Sequence, residues 1–403
     1  MTINGKTYTK LRVLFILAAL FLSSMCTIGD MAVVPIFGNL YSVFPQVNLV
    51  NAIVSMPSLV GIPFCFIGGI LCDKSNKKYV MTVGFALFTI SAVFGCAVEN
   101  VYYMLIMRNI ATGVAWGLTS SAAVSIIAEM FVDEKTRGTV NGLYNSIMTL
   151  IGATMSMVSG IMAVSGWQNA FRTYLPAIPV LILLILFLPS LPAKKEISVP
   201  ASKEKELNTE NSKSLNWLIP LLPLLLQIFF IGACYYVIAF MISVYVADTG
   251  IGNEAFTGSL ASIGTICSCI ASATFGFIYK KLNKATPLPS FAVIGAGFLV
   301  MAAFPSKAVA LAACGIMGAA WGIFYSFSVT ECTVVVPEEK QGIAIGIVGA
   351  FIGLASFLCS YLVTGPQAVM GVTSVLPVFT LLGFVALTVF VISTVIVLSK
   401  RKK

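Results

Sequence analysis

Long apolar runs follow one another along this chain with only brief polar breaks between them. They occupy residues 11–40, 46–71, 79–98, 101–129, 138–164, 172–190, 216–247, 254–279, 287–304, 308–331, 339–364 and 372–399. A bilayer core about 30 Å thick is crossed by roughly 20 apolar residues of helix. Each run is therefore a candidate crossing, and twelve of them leave little chain for anything else. In lipid, backbone polar groups must be bonded within their own segment, so runs of this kind become helices. The expected fold class is an all-α membrane protein with twelve transmembrane helices. Charged residues make up 10% of the chain and hydrophobic ones 58%, against about a quarter charged in soluble domains. An ordinary soluble enzyme is excluded.

One break is long. The stretch PSLPAKKEISVPASKEKELNTENSKSLN at 189–216 is rich in Lys, Glu, Ser and Pro and cannot bury a core, so it reads as a linker. It divides the chain into an amino-terminal bundle at 1–190, a linker at 191–215 and a carboxy-terminal bundle at 216–403. Lys6, Lys10 and Arg12 ahead of an apolar run mimic a signal peptide, but Met25 stands before Cys26 where a small residue is needed and the run continues through Pro35. It is read as the first, uncleaved membrane helix.

The basic residues set the orientation. Lys6, Lys10 and Arg12, Lys74, Lys77 and Lys78, Lys135 and Arg137, the linker lysines, Lys280, Lys281 and Lys284, Lys340, and the terminal Lys400 to Lys403 stretch all fall on one side. The other side receives Arg172 and Lys307. The positive-inside rule then makes both termini and the linker cytoplasmic, with the protein multi-pass in the cell membrane. The net charge of +9 is dispersed over these connectors and forms no patch for nucleic acid. Histidine is absent and the ten cysteines show no paired spacing, so neither a metal site nor a histidine-based catalytic triad is expected. No cofactor is implied.

The two halves repeat. Gly69, Asp73, Lys74, Asn76 and Lys77 align with Gly276, Lys280, Lys281, Asn283 and Lys284, and the string GVAWG at 113–117 aligns with GAAWG at 318–322. The connectors VDEKTRG and VPEEKQG follow at corresponding places. The spacing G-x-x-x-D-K-x-x-K-K from Gly69 to Lys78 resembles the loop signature of the major facilitator superfamily of secondary transporters. In that signature Asn76 stands where a glycine is usual, and asparagine tolerates the left-handed turn such a glycine serves. The string EMFVDEKTRG from Glu129 to Gly138 resembles the family's E…RG connector. Arg108 resembles its helix-four arginine, with Gly113 one residue later than the common R-x-x-x-G spacing.

The resemblance implies two pseudo-symmetric six-helix bundles that rock about a central site near the bilayer midplane. It also implies a cytoplasmic gate formed by Gly69, Asp73, Lys74, Lys77, Lys78, Glu129, Arg137 and Gly138, with Asp73, Glu129 and Arg137 in one charge cluster. Cavity residues would come from the first, fourth, seventh and tenth helices. Arg108, Thr112 and Thr119 share a face at helical spacing, with Trp116 beside it. Gln227 and Tyr235 are the candidates on the seventh helix, and Trp321, Tyr325 and Ser328 on the tenth. Asp30 and Glu331 are the candidate proton carriers, because an ion in hydrocarbon is costly and rarely idle. Asp30 lies about ten residues, or roughly 15 Å, from the outer end of its helix, at a depth matching Arg108, so the two are expected to pair. The expected function is proton-coupled uptake of a small organic solute, an anion if Arg108 meets it, by a protein that works as a monomer among membrane lipids. The competing expectation is efflux of a drug or metabolite by proton antiport. Against it, GATMS from Gly152 lacks the glycine and proline signature of the family's drug antiporters.

Overall fold

The computed structural model describes residues 2–3, 6–7, 9–95, 98–131, 133–192, 215–336 and 341–401. Most of the expected linker, from 193 to 214, lies outside the described residues, as does Lys340. A two-residue antiparallel pairing of Thr2–Ile3 with Lys6–Thr7 precedes the helices. Among the described residues ten helices are long and apolar enough to cross a bilayer, and two shorter apolar ones, Leu11–Thr27 and Pro287–Ala303, complete a set of twelve. In order, span 1 is Leu11–Thr27 with its continuation to Val43, span 2 is Val47–Lys74, span 3 Lys77–Phe94, span 4 Val101–Met130, span 5 Glu134–Ala163 and span 6 Trp167–Phe187. Span 7 is Leu222–Thr249, span 8 Glu254–Leu282, span 9 Pro287–Ala303, span 10 Lys307–Val335, span 11 Gln341–Leu358 with Tyr361–Met370, and span 12 Leu376–Arg401. The ends that carry Lys74, Lys77, Lys280 and Lys281 form the basic side, and the opposite ends the distal side.

Span 1 departs from a simple rod. After Ser24–Thr27 the chain runs through two 3-10 turns, Gly29–Ala32 and Val34–Ile36, before Phe37–Val43 resumes the α-helix. The freed backbone groups are met by neighbours: the Tyr174 hydroxyl donates to the carbonyl of Gly29 at 2.7 Å, and Ser159 donates to that of Ala32. Irregular backbone at this depth is tolerated because protein, and not lipid, surrounds it.

The sequence repeat is a repeat of helix crossings. Span 4 lies on span 2 at Gly113 and Gly117, where an added Cβ would stand 3.0 Å from Val60 and 2.6 Å from Phe64. Span 10 lies on span 8 at the equivalent Gly318 and Gly322, where a Cβ would stand 2.2 Å from the Gly264 carbonyl oxygen and 2.1 Å from that of Ser268. Small residues let these backbones touch.

Between the halves, span 5 packs on span 8 and span 2 on span 11. The close approaches cluster toward the distal side. A Cβ at Gly160 would lie 2.5 Å from the Glu254 carbonyl oxygen, and one at Gly258 2.4 Å from that of Ser156. The Gly38 amide donates to Ser243 at 2.9 Å, Asn39 to Glu254 at 2.8 Å and Asn51 to Thr364 at 2.8 Å. On the basic side Gly69, Gly142 and Gly276 meet nothing within 4 Å. The halves are in direct contact on the distal side.

Candidate functional site

The irregular stretch of span 1 brings Asp30 to span 4. Arg108 Nη2 donates to Asp30 Oδ1 at 2.7 Å. The guanidinium is 1% exposed and the carboxylate 20%, so the acid is the member of the pair that reaches open space. Arg108 Nε donates to the carbonyl of Ile53 on span 2 at 3.0 Å, and its guanidinium lies over the Phe37 ring at 5.6 Å. The Ile53 carbonyl is available because the residue four positions on is Pro57, inside span 2, which has no N–H to offer it. Asn109 to Val114 form a π-helical turn within span 4. Such a turn takes up one extra residue, and the extra residue between Arg108 and Gly113 falls within it.

Phe37 begins a ladder of rings that crosses to the other half. It meets Phe240 edge-on at 6.2 Å, Phe240 stacks on Tyr236 at 5.5 Å, and Tyr236 meets Trp321 at 5.6 Å. Tyr235 stacks on Trp321 at 4.7 Å with planes 6° apart, and Tyr325 lies 6.1 Å beyond. Tyr325 is 45% exposed. Asp30 lies within electrostatic range of Tyr236 and Cys359. An ion pair on one half therefore faces an aromatic wall on the other.

The remaining expected cavity residues sit elsewhere. Thr112 is buried, donates to the Arg108 carbonyl and sets its methyl against Gly29. Thr119 is buried, donates to Cys26 and to the Ala115 carbonyl, and has its methyl 3.0 Å from the Cβ position of Gly84. Both serve the packing of span 4 on spans 1 and 3. Trp116 abuts Gly61 of span 2, where a Cβ would stand 2.1 Å from its ring. Ser328 is buried and donates to the Phe324 carbonyl of its own helix at 2.8 Å. Gln227 is half-buried near the basic end of span 7. Glu331 is 8% exposed near the basic end of span 10, about 15 Å along the helix from Trp321. The site reading missed Phe37, Tyr236, Phe240 and Pro57. The proline carried a signal, since a helix-interior proline frees the carbonyl four residues before it.

On the basic side the expected cluster of Asp73, Glu129 and Arg137 does not form. Glu129 pairs instead with Lys77 at 2.8 Å, each 9% exposed. Asp73 is exposed beside Lys74 at the end of span 2, and Asp73 and Arg137 take part in no ion pair among the described residues. Lys77 takes the cationic place expected for Arg137 because span 3 begins there and points it at the end of span 4. Arg137 and Gly138 lie in the first turns of span 5, whose cap is Asp133: its carboxylate accepts from the Thr136 hydroxyl and amide, and these bonds hold it below the ordinary carboxylate value. Asn76 does not take a left-handed turn. Its φ is −70°, it caps span 3 through Lys78, and it binds Ser190 and the Leu191 amide beyond span 6. The positive φ falls on its repeat partner, Asn283, at 47°. Lys78 donates to the Ile185 carbonyl at 2.7 Å, so this connector is fastened to span 6.

Twelve apolar helices among the described residues and a repeated crossing of the second on the fourth describe an integral membrane protein built of two similar halves. The chain belongs to the Major Facilitator Superfamily, whose profile matches residues 15–360. Among curated relatives, a "Putative glycerol-3-phosphate transporter 1" of Arabidopsis thaliana is 24% identical over 56% of this chain and 50% of its own length. The "Methylenomycin A resistance protein" of Bacillus subtilis is 26% identical over 27% of this chain and 23% of its own. The "Arabinose-proton symporter" of Escherichia coli is 32% identical over 31% of this chain and 26% of its own. The chain thus matches half or less of the length of these relatives. Solved structures match nearly throughout. A D-xylose-proton symporter gives a TM-score of 0.69 at 18% identity, covering 93% of this chain and 96% of that one. A bacterial homologue of the lysosomal transporter Spinster, in an inward-facing and unoccupied conformation, gives 0.72 at 14% identity, covering 96% of each chain. Membership of this family makes the protein a transporter and not an enzyme.

Proposed function

We propose that this protein is a proton-coupled importer of a small organic solute, working by alternating access in the cell membrane with both termini and the 191–215 linker in the cytoplasm. The carrying observation is the Asp30–Arg108 pair, 2.7 Å long, with the carboxylate at the opening and the guanidinium held behind it. Two opposite charges relieve each other's burial cost. Protonating Asp30 removes that relief and leaves Arg108 in need of an anion, so proton and an anionic solute favour each other's binding. The aromatic wall of Tyr235, Tyr236, Trp321 and Tyr325 supplies the opposite face. Glu331, buried near the basic end, is the second carboxylate to test.

The contacts between the halves on the distal side support an inward-facing state. The absence of a proline from GATMS in span 5 and the relative named as an arabinose-proton symporter support import. The relative named for methylenomycin resistance supports the competing reading, efflux by proton antiport. The test uses proteoliposomes and a panel of labelled arabinose, xylose, glycerol 3-phosphate and simple carboxylates. Asp30→Asn is expected to abolish accumulation driven by a proton gradient while counterflow persists. Accumulation by Asp30→Asn with its pH dependence intact would refute Asp30 as the carrier, and accumulation only against an outward-directed exchange would favour efflux.

A further inference from the structure

Asn51 stands in span 2 about a turn from its distal end and is 1% exposed. A buried amide left unbonded costs about 1–3 kcal/mol, and here every polar atom of the side chain has a use. Its Oδ1 accepts from the Tyr41 hydroxyl at 2.7 Å, at the end of span 1 in the same half. Its Nδ2 donates to Thr364 Oγ1 at 2.8 Å, on span 11 of the other half. The Asn51 carbonyl accepts from Ser55 at 2.6 Å and from Ser360 of span 11 at 3.4 Å. Farther along the same seam Ser58 and Ser356 share a hydrogen bond at 2.9 Å.

Two residues beyond Asn51, the Ile53 carbonyl accepts from Arg108. One short stretch of span 2 thus holds the ion pair with one group and the opposite half with another. The anchor to Tyr41 stays within the amino-terminal half, whereas the bond to Thr364 must break if the distal side is to open. Water entering the opening would replace it, so the bond resists opening without locking the protein shut.

We infer that Asn51 is the distal latch, an amide moored to Tyr41 that reaches across to Thr364, sets the balance between distally closed and distally open forms, and ties that balance through span 2 to Arg108. The inference rests on alternating access, and its test needs no solute. Spin labels are placed on full-length protein in lipid nanodiscs, in a cysteine-free background, at Ser165 and Thr373 for the distal side and at Ser75 and Lys281 for the basic side. All four positions are exposed. Distances are read by pulsed electron resonance.

Asn51→Leu keeps the volume and removes the amide. It is expected to raise the population with the longer distal and shorter basic distance by about tenfold, the equivalent of one charge-free hydrogen bond at roughly 1.4 kcal/mol. Thr364→Val should do the same and Thr364→Ser should restore the wild-type distribution. The double variant Asn51→Leu/Thr364→Val should add nothing to either single one, since both remove one shared bond. Should Asn51→Leu not fold, Thr364→Val against Thr364→Ser carries the comparison alone. Populations unchanged within twofold, equal shifts from Thr364→Val and Thr364→Ser, or additive effects in the double variant would each overturn the latch while leaving alternating access intact. A single distance distribution at both label pairs, with no second population in wild type or any variant, would overturn both readings.

Discussion

Gly322→Ala puts a number on the repeated crossing. A Cβ at 322 would stand 2.1 Å from the Ser268 carbonyl oxygen, whereas carbon and oxygen normally approach to about 3.3 Å. Spans 8 and 10 would have to part by about 1.2 Å along a seam where Gly318 already faces the Gly264 backbone and Ser272 bonds the Gly322 carbonyl at 2.9 Å. Overpacking costs about 1–3 kcal/mol, and the upper half of that range applies because the obstacle is backbone. Alanine's better helix propensity returns about 0.8–1.0 kcal/mol, for a net loss of roughly 1–2 kcal/mol. Gly276→Ala collects the same propensity gain and meets nothing within 4 Å, so it should stabilise by up to about 1 kcal/mol. Unfolding of purified protein by titrating a denaturing detergent into mild micelles reads both. The midpoint is expected to fall for the first variant and rise for the second. A Gly322→Ala midpoint at or above wild type, or shifts of the same sign for both, would refute the reasoning from close approach.

Lys77 and Glu129 are each 9% exposed, so Glu129→Gln alone should cost about 3–5 kcal/mol by stranding a buried ammonium, while Lys77→Met/Glu129→Met should come back to near wild type. The same detergent titration checks it, and a single variant as stable as the double one would contradict a paired site. Asp133, fully exposed and held below the ordinary carboxylate value by Thr136, contributes its capping bonds fully above that ordinary value and loses them as pH falls through its lower folded value. The protection factor of the Thr136 amide against hydrogen exchange, taken relative to its intrinsic rate at each pH, should therefore fall only below about pH 4, and Asp133→Asn should remove that acid dependence.

The crossings were legible because lipid leaves a helix no alternative, whereas GVAWG and GAAWG were legible as a repeat and not as the close approaches that the structure contains there. The meeting of Asp30 and Arg108 was legible from depth alone. The roles of Thr112, Thr119 and Ser328 were not, because helical spacing assigns a residue to a face but not to a neighbour, and a hydroxyl in a membrane helix readily bonds its own backbone. The π turn at Asn109–Val114 also shifts the face that a 3.6-residue period assigns beyond Arg108. Lys77 could not be told from its neighbours Lys74 and Lys78 until the start of span 3 aimed it at Glu129. The aromatic ladder was hidden because its rings come from both halves, from Phe37 to Trp321, and no period within one helix connects them.

The Asp30–Arg108 pair also bears on how the chain is made. Asp30 is synthesised first, in a helix whose middle is irregular, and each such charge costs about 2.5–3.5 kcal/mol at the centre of an inserting helix. Its partner follows 78 residues later, which at roughly 5–20 residues per second is about 4 to 16 s of synthesis. Until then the first helix carries that cost unrelieved. It is therefore expected to settle only after the fourth has emerged, making the amino-terminal bundle a unit that inserts late and together.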